Sequence, residues 1–159
     1  LLADDYLSGG DGIARNLDEG IRLLRSSAEH GNPIAATRLA HRYFKGDGVA
    51  KDYQQAARWY SESSRANDFI AMAYYGWMLV LGQGVAKDEK RGLELLNAAD
   101  REGYPEAARL LGLLYFDPKR PFHDQNKGLD LLRRAALEGS RGAQADLDQL
   151  AKLGGPAEK

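Results

Sequence analysis

Small and apolar residues recur along this chain at helical spacing, and the whole pattern returns every 36 residues. Ala35, Ala36, Leu39, Ala40 and Tyr43 fall on one side of a helix. Their counterparts are Ala71, Met72, Tyr75, Gly76 and Leu79, then Ala107, Ala108, Leu111, Gly112 and Tyr115. A second stripe follows each of these. It reads Ala56, Trp59, Tyr60 and Ser63, then Gly92, Leu95, Leu96 and Ala99, then Gly128, Leu131, Leu132 and Ala135. The pattern predicts helix pairs over 33–45 and 53–66, 69–81 and 89–102, and 105–116 and 125–138. A lone helix is predicted over 141–153.

The polar and glycine positions keep the same register. Gly31, Gly103 and Gly139 share one slot, which Asn67 fills in the remaining repeat. Gly10, Gly46 and Gly82 share another, as do Gly12, Gly48 and Gly84, and Ile13, Val49 and Val85. Asp52, Asp88 and Asp124 recur with Asn16 one period earlier, and no insertion interrupts the series. Each of these acceptors stands just before a second helix, where a short side chain caps free backbone N–H groups. Glu19 and Gln55 lie three residues further on, as in a capping box. Pro33 and Pro105 suit a first helical turn. Gly31, Gly103 and Gly139 suit left-handed helix ends. The stretch Gly46-Asp47-Gly48-Val49 has no preceding strand and no Lys-Ser/Thr pair, so it reads as a turn and not a phosphate cradle. Gly20, Gly92 and Gly128 sit inside second helices, where glycine costs about 1 kcal/mol relative to alanine. Close helix packing that excludes a larger side chain accounts for them.

The combined pattern Ala-x3-Leu-Ala/Gly-x2-Tyr-x2-Gly-x-Gly-Val-x2-Asp-x3-Ala-x2-Trp resembles the Sel-1-like repeat, an α/α solenoid family related to tetratricopeptide repeats. Ala35, Leu39, Tyr43, Gly46, Gly48, Val49, Asp52, Ala56 and Trp59 carry it most fully. The resemblance implies an all-α, right-handed superhelix of about four helix-turn-helix repeats with a C-terminal capping helix. It implies one domain over 1–153, a polar tail over 154–159, and a concave face lined by first helices. Leu1 aligns with Thr37 inside a first helix, so further chain is expected upstream. Members typically act as adaptors in bacterial envelope assembly, secretion, signalling or host interaction, and some eukaryotic members serve degradation complexes. The resemblance therefore favours a protein partner, and the bacterial periplasm or envelope ahead of the cytoplasm. It brings no shared catalytic residues. Two departures bear on function. Pro118-Lys119-Arg120-Pro121 replaces the Gly-x-Gly-Val turn and stiffens that loop. The chain has no cysteine, so the penicillin-binding behaviour of the disulfide-pinned branch does not transfer.

Composition narrows the function further. Lys plus Arg is 22 against 23 for Asp plus Glu, a balance that gives no basic stripe for nucleic acid. No apolar run reaches the roughly 18 residues of a membrane span. Without cysteine there is no disulfide, thiolate metal site or cysteine nucleophile. His30, His41 and His123 fall at a helix end, an exposed helix position and a loop, with no metal spacing. Asp124 beside His123 already has a capping role. No enzyme activity, catalytic residue, metal or cofactor is expected.

A partner is expected on the first-helix side opposite the core. That side carries Ile34, Thr37, Arg38, His41 and Lys45 in the second repeat, and Ile70, Ala73, Tyr74, Trp77 and Leu81 in the third. In the fourth it carries Glu106, Arg109, Leu110, Leu113 and Asp117. The helix from Phe69 to Leu81 has no charged residue and is apolar almost all round. Such a helix is either buried by superhelical curvature or exposes anchors for a partner. The expected partner-binding residues are Arg38, His41, Tyr74, Trp77, Arg109 and Leu113. They would take a peptide, helix or loop of another protein. Aromatic residues in a groove would also suit a glycan or peptidoglycan fragment. A secondary surface is the loop Pro118–Phe122, with Lys119 and Arg120 facing an acidic partner.

Overall fold

The computed structural model describes Ala3, Leu7 and residues 16–154. Residues 16–154 form α1 (Leu17–Glu29), α2 (Pro33–Lys45), α3 (Tyr53–Arg65), α4 (Phe69–Leu81), α5 (Glu89–Arg101), α6 (Pro105–Phe116), α7 (Gln125–Leu137) and α8 (Arg141–Gly154). Ala3 and Leu7 are also helical. Gly10, Gly12, Ile13 and the tail 155–159 lie outside the described residues. The predicted helices are present, and their bounds agree to within one residue.

Local chemistry places each helix start. The Asn16, Asp52, Asp88 and Asp124 side chains accept backbone N–H bonds at the starts of α1, α3, α5 and α7. The reciprocal half of the capping box is absent at α1, because the Glu19 carboxylate turns to Arg22 Nε at 2.8 Å. First helices have a cap slot as well. Asn32 and Asp68 fill it at α2 and α4, and Ser140 Oγ accepts from Ala143 N at 3.1 Å at α8. Tyr104 holds the slot before α6 and makes no side-chain cap bond. The predicted left-handed turns are present at Gly31, Gly103 and Gly139, and Asn67 adopts φ 60° in its equivalent slot. The stiff loop after α6 still closes as the glycine loops do. Asp124 N donates to Tyr115 O just as Asp52 N donates to Tyr43 O and Asp88 N to Leu79 O.

Helix pairs pack closely because the facing residues are small. A Cβ built on Gly92 would lie 2.5 Å from Gly76 O, and one on Gly128 would lie 2.9 Å from Gly112 O. Ala40 and Ala56 occupy the equivalent slots between α2 and α3, and both are fully buried. The apolar stripes predicted for the core are buried or half-buried throughout. The result is an all-α, right-handed solenoid in which each helix packs on the next.

First helices line one side of the stack and second helices the other. Backbones of successive first helices come close between α4 and α6 and between α6 and α8. Among the described residues, no two successive second helices approach to the same extent. That asymmetry bends the stack toward its first helices. The backbones of α2 and α4 do not close to the same degree. The Tyr74 ring stands between these two helices, edge-on to His41 with centroids 5.2 Å apart, and spaces them.

Candidate interaction groove

The wider spacing of α2 and α4 leaves a groove of about 420 Å³ on the first-helix side. Leu7, Leu24 and Ile70 form its apolar floor. Arg38, His41, Arg42 and Lys45, all on α2, form its rim with Asp47 from the following turn. Arg38 and Lys45 are exposed, and Ile70 is half-buried. Arg42 bridges to Asp47 with Nη1 to Oδ2 at 3.0 Å.

Two of the predicted partner residues, Arg38 and His41, lie in this groove. His41 is not exposed as its position on the helix suggested. Its Nδ1 lies 2.9 Å from the Tyr60 hydroxyl, and its ring is half-buried. Burial first, then the charges of Lys45 and Arg42, hold its pKa below the usual histidine value. Tyr74 lies directly beneath. Its ring stacks on Tyr60 with centroids 5.4 Å apart and planes 11° off parallel. Its hydroxyl lies toward that of Tyr104, whose own ring meets Phe69 with centroids 5.6 Å apart. Burial raises the Tyr74 pKa, with the Glu106 charge acting in the same sense.

The other predicted residues are tied into the stack. Trp77 is half-buried against the core between α4 and α6, and Leu113 against the core beneath α8. Arg109 is bound on both sides, with Nε to Asp146 Oδ2 and Nη1 to Glu106 Oε1 both at 2.6 Å. Glu106 also accepts from Ser140 Oγ at 3.0 Å. Three residues assigned to the open side are instead buried: Thr37, Ala73 and Leu110. Ala73 and Leu110 lie in one core cluster because α4 and α6 pack on each other. Thr37 donates from Oγ1 to Ser63 Oγ at 2.7 Å and lies 3.1 Å from Asp68 Oδ2. The apolar α4 is thus a central helix, with Ala71, Ala73, Gly76, Met78, Leu79 and Val80 buried.

The proline-bounded loop also folds back on the protein. Arg120 reaches Asp117 Oδ2 at 3.2 Å, Glu89 Oε2 at 3.5 Å and Val80 O at 3.4 Å. Its side chain is 14% exposed, so its charge serves the loop and not an open surface. Lys119 remains exposed. Among the described residues, no group of three His, Cys, Asp or Glu side chains is arranged to hold a metal ion. No helix there is long and apolar enough to cross a membrane.

Stacked helix pairs, left-handed turns on a common register and a groove lined by first helices define an α/α repeat scaffold. The Sel1 repeat model matches residues 1–32, 33–68, 70–103 and 105–140, and the chain belongs to that family. A Sel1 repeat protein from Oxalobacter formigenes is 26% identical and superposes with a TM-score of 0.74 over 96% of this chain and 62% of its own. A protective antigen of uropathogenic Escherichia coli strains, with the same repeat fold, is also 26% identical. It superposes with a TM-score of 0.80 over 97% of this chain and 33% of its own. The cysteine rich protein B of Helicobacter pylori is 25% identical, with a TM-score of 0.56 over 66% of this chain and 77% of its own. This chain therefore spans about three fifths of the first structure and a third of the second. No curated protein matches it. Sel1 repeat proteins are generally protein-interaction scaffolds, and the fold is typically non-catalytic.

Proposed function

We propose that this chain is a bacterial interaction scaffold that holds a peptide, helix or loop of a partner protein in the groove across α2 and α4. The observation that carries this reading is the groove itself, an apolar floor of Leu24 and Ile70 beneath a polar rim of Arg38, His41 and Lys45. An apolar floor supplies binding energy, and convergent polar groups fix orientation. His41 serves as a pre-ordered wall with Tyr74 behind it, since both are already held by Tyr60. Pre-ordering lowers the entropy lost on binding. Trp77, Arg109 and Leu113 continue the same side toward α8 and hold its shape. A glycan reading has less support, because one face of the Tyr74 ring is already covered by Tyr60 and the groove floor is aliphatic.

Peptides selected on the folded chain from a random 12-residue display library test the proposal. Ile70→Gln adds no charge but takes one apolar side chain out of the groove floor. It should weaken the selected peptides about tenfold, or about 1.4 kcal/mol. Leu137→Gln, on a second helix and 90% exposed, should leave binding unchanged. The opposite ranking of the two variants would place the interaction elsewhere.

A further inference from the structure

We infer that the end of the stack formed by α7 and α8 is a self-association surface, on which a second copy of this chain seats its own α8 about a two-fold axis. The seat is a groove of about 480 Å³ between α7 and α8, separate from the one across α2 and α4. Phe116, Leu129, Leu147 and Leu150 make its floor, with Arg133 on the α7 wall and Asp148 on the α8 wall.

The repeat shows what shape fits there. In each preceding pair the second helix covers this face of its first helix, α3 on α2, α5 on α4 and α7 on α6. Among the described residues no helix covers α8 in that way. Leu147 and Leu150 are only half-buried. Leu39 and Leu111, in register with Leu147, are buried, as are Met78 and Leu114, in register with Leu150. A seat of this shape with an apolar floor takes a helix.

Asp148 decides which helix. It stands in the slot that Ala40, Gly76 and Gly112 keep small. A Cβ on Gly76 would lie 2.7 Å from Gly92 O, and one on Gly112 would lie 3.0 Å from Gly128 O. A helix packed as closely on α8 would bury the Asp148 carboxylate unpaired, which is strongly unfavourable. The occupant must instead bring a cation to Asp148 and an acceptor to Arg133. A second copy brings both. With the two α8 helices antiparallel and Leu147 near the axis, Asp148 of each copy faces Arg133 of the other, as two-fold symmetry requires. Their present partners are local and exchangeable. Arg133 reaches Asp130 at 3.3 Å, with both side chains largely exposed, and Asp148 accepts from Gln144 Nε2 at 2.8 Å. Two helices about 20 Å long and about 10 Å apart offer a face on the order of 400 Å² per copy. A stable interface takes about 800 Å² per partner, so the dimer is weak, with a Kd on the order of 0.1 mM.

Sedimentation equilibrium of the chain between about 10 μM and 1 mM should show reversible monomer and dimer. Arg133→Glu and Asp148→Arg should each weaken the dimer about tenfold or more. An equimolar mixture of these two variants should dimerise as the parent does, because each carries the charge that the other needs. Both positions are exposed, and thermal melts confirm that each variant is folded. Ile70→Gln, in the other groove, should leave the dimer unchanged. A chain still monomeric at 1 mM overturns the inference, as does a dimer indifferent to both charge reversals or one lost with Ile70→Gln. Failure of the mixture to recover the dimer, or growth into longer assemblies, overturns the two-fold arrangement.

Discussion

Replacing Gly92 by alanine separates two opposing effects that the structure puts at one atom. At an ordinary helix position the change would stabilise by about 1 kcal/mol, because glycine is the poorer helix former. Here the new Cβ would lie 2.5 Å from Gly76 O, 2.6 Å from Val80 Cγ2 and 2.9 Å from Val80 N. Two of those three atoms are backbone, so a rotamer change cannot relieve the contact, and α4 and α5 must separate. Forced expansion of a packed core costs about 1–3 kcal/mol, and a backbone obstacle puts the cost toward the upper end. Net destabilisation should be about 1–2 kcal/mol. For a domain of this size that is a fall in Tm of about 3–8 °C. Thermal and urea unfolding followed by circular dichroism would measure it. A Gly92→Ala protein as stable as the parent, or more so, would refute the reasoning that these glycines exist for helix contact.

Three further outcomes follow from the described contacts. Asp146→Asn removes the charge facing Arg109 Nε at 2.6 Å and should cost about 1–2 kcal/mol, allowing for partial exposure; faster amide exchange confined to α8 would mark the lost tie. Asp52→Ala deletes an acceptor shared by Gln54 N and Gln55 N and should cost about 1 kcal/mol by urea unfolding. The His41 pKa is lowered from 6.5 in the folded state, so the unfolded chain takes up that proton first. The His41 contribution is therefore full above about pH 6.5 and is lost as pH falls toward the folded value. His41→Asn should lack this part of the acid destabilisation, and identical pH profiles for the two proteins would count against it.

The repeat was legible because its signals are local. A capping aspartate, a left-handed glycine and a glycine at a helix contact each reveal their role through neighbours within one or two turns. The first-helix caps are legible by the same logic, since Asn32, Asp68 and Ser140 stand 36 residues apart or a multiple of it. Tyr104 interrupts that slot and makes no side-chain cap bond. The open face was harder to read. Helical periodicity divides a helix into one buried and one exposed side, whereas an internal first helix has neighbours on both flanks. Ala73 and Leu110 are buried for that reason. His41 and Arg120 show a second limit. Each is a polar residue whose partner, Tyr60 or Glu89, lies in another helix and is set by the path of the chain. The groove depends on both effects, because it opens where Tyr74 keeps two first helices apart.

Backbone amide NMR of the chain, titrated with a display-selected 12-residue peptide, would locate the binding surface residue by residue. Shifts should concentrate at Arg38, His41, Lys45, Asp47 and Ile70, with the outward faces of α3, α5 and α7 unchanged. Shifts gathered on those second helices, with the groove residues silent, would contradict the groove reading.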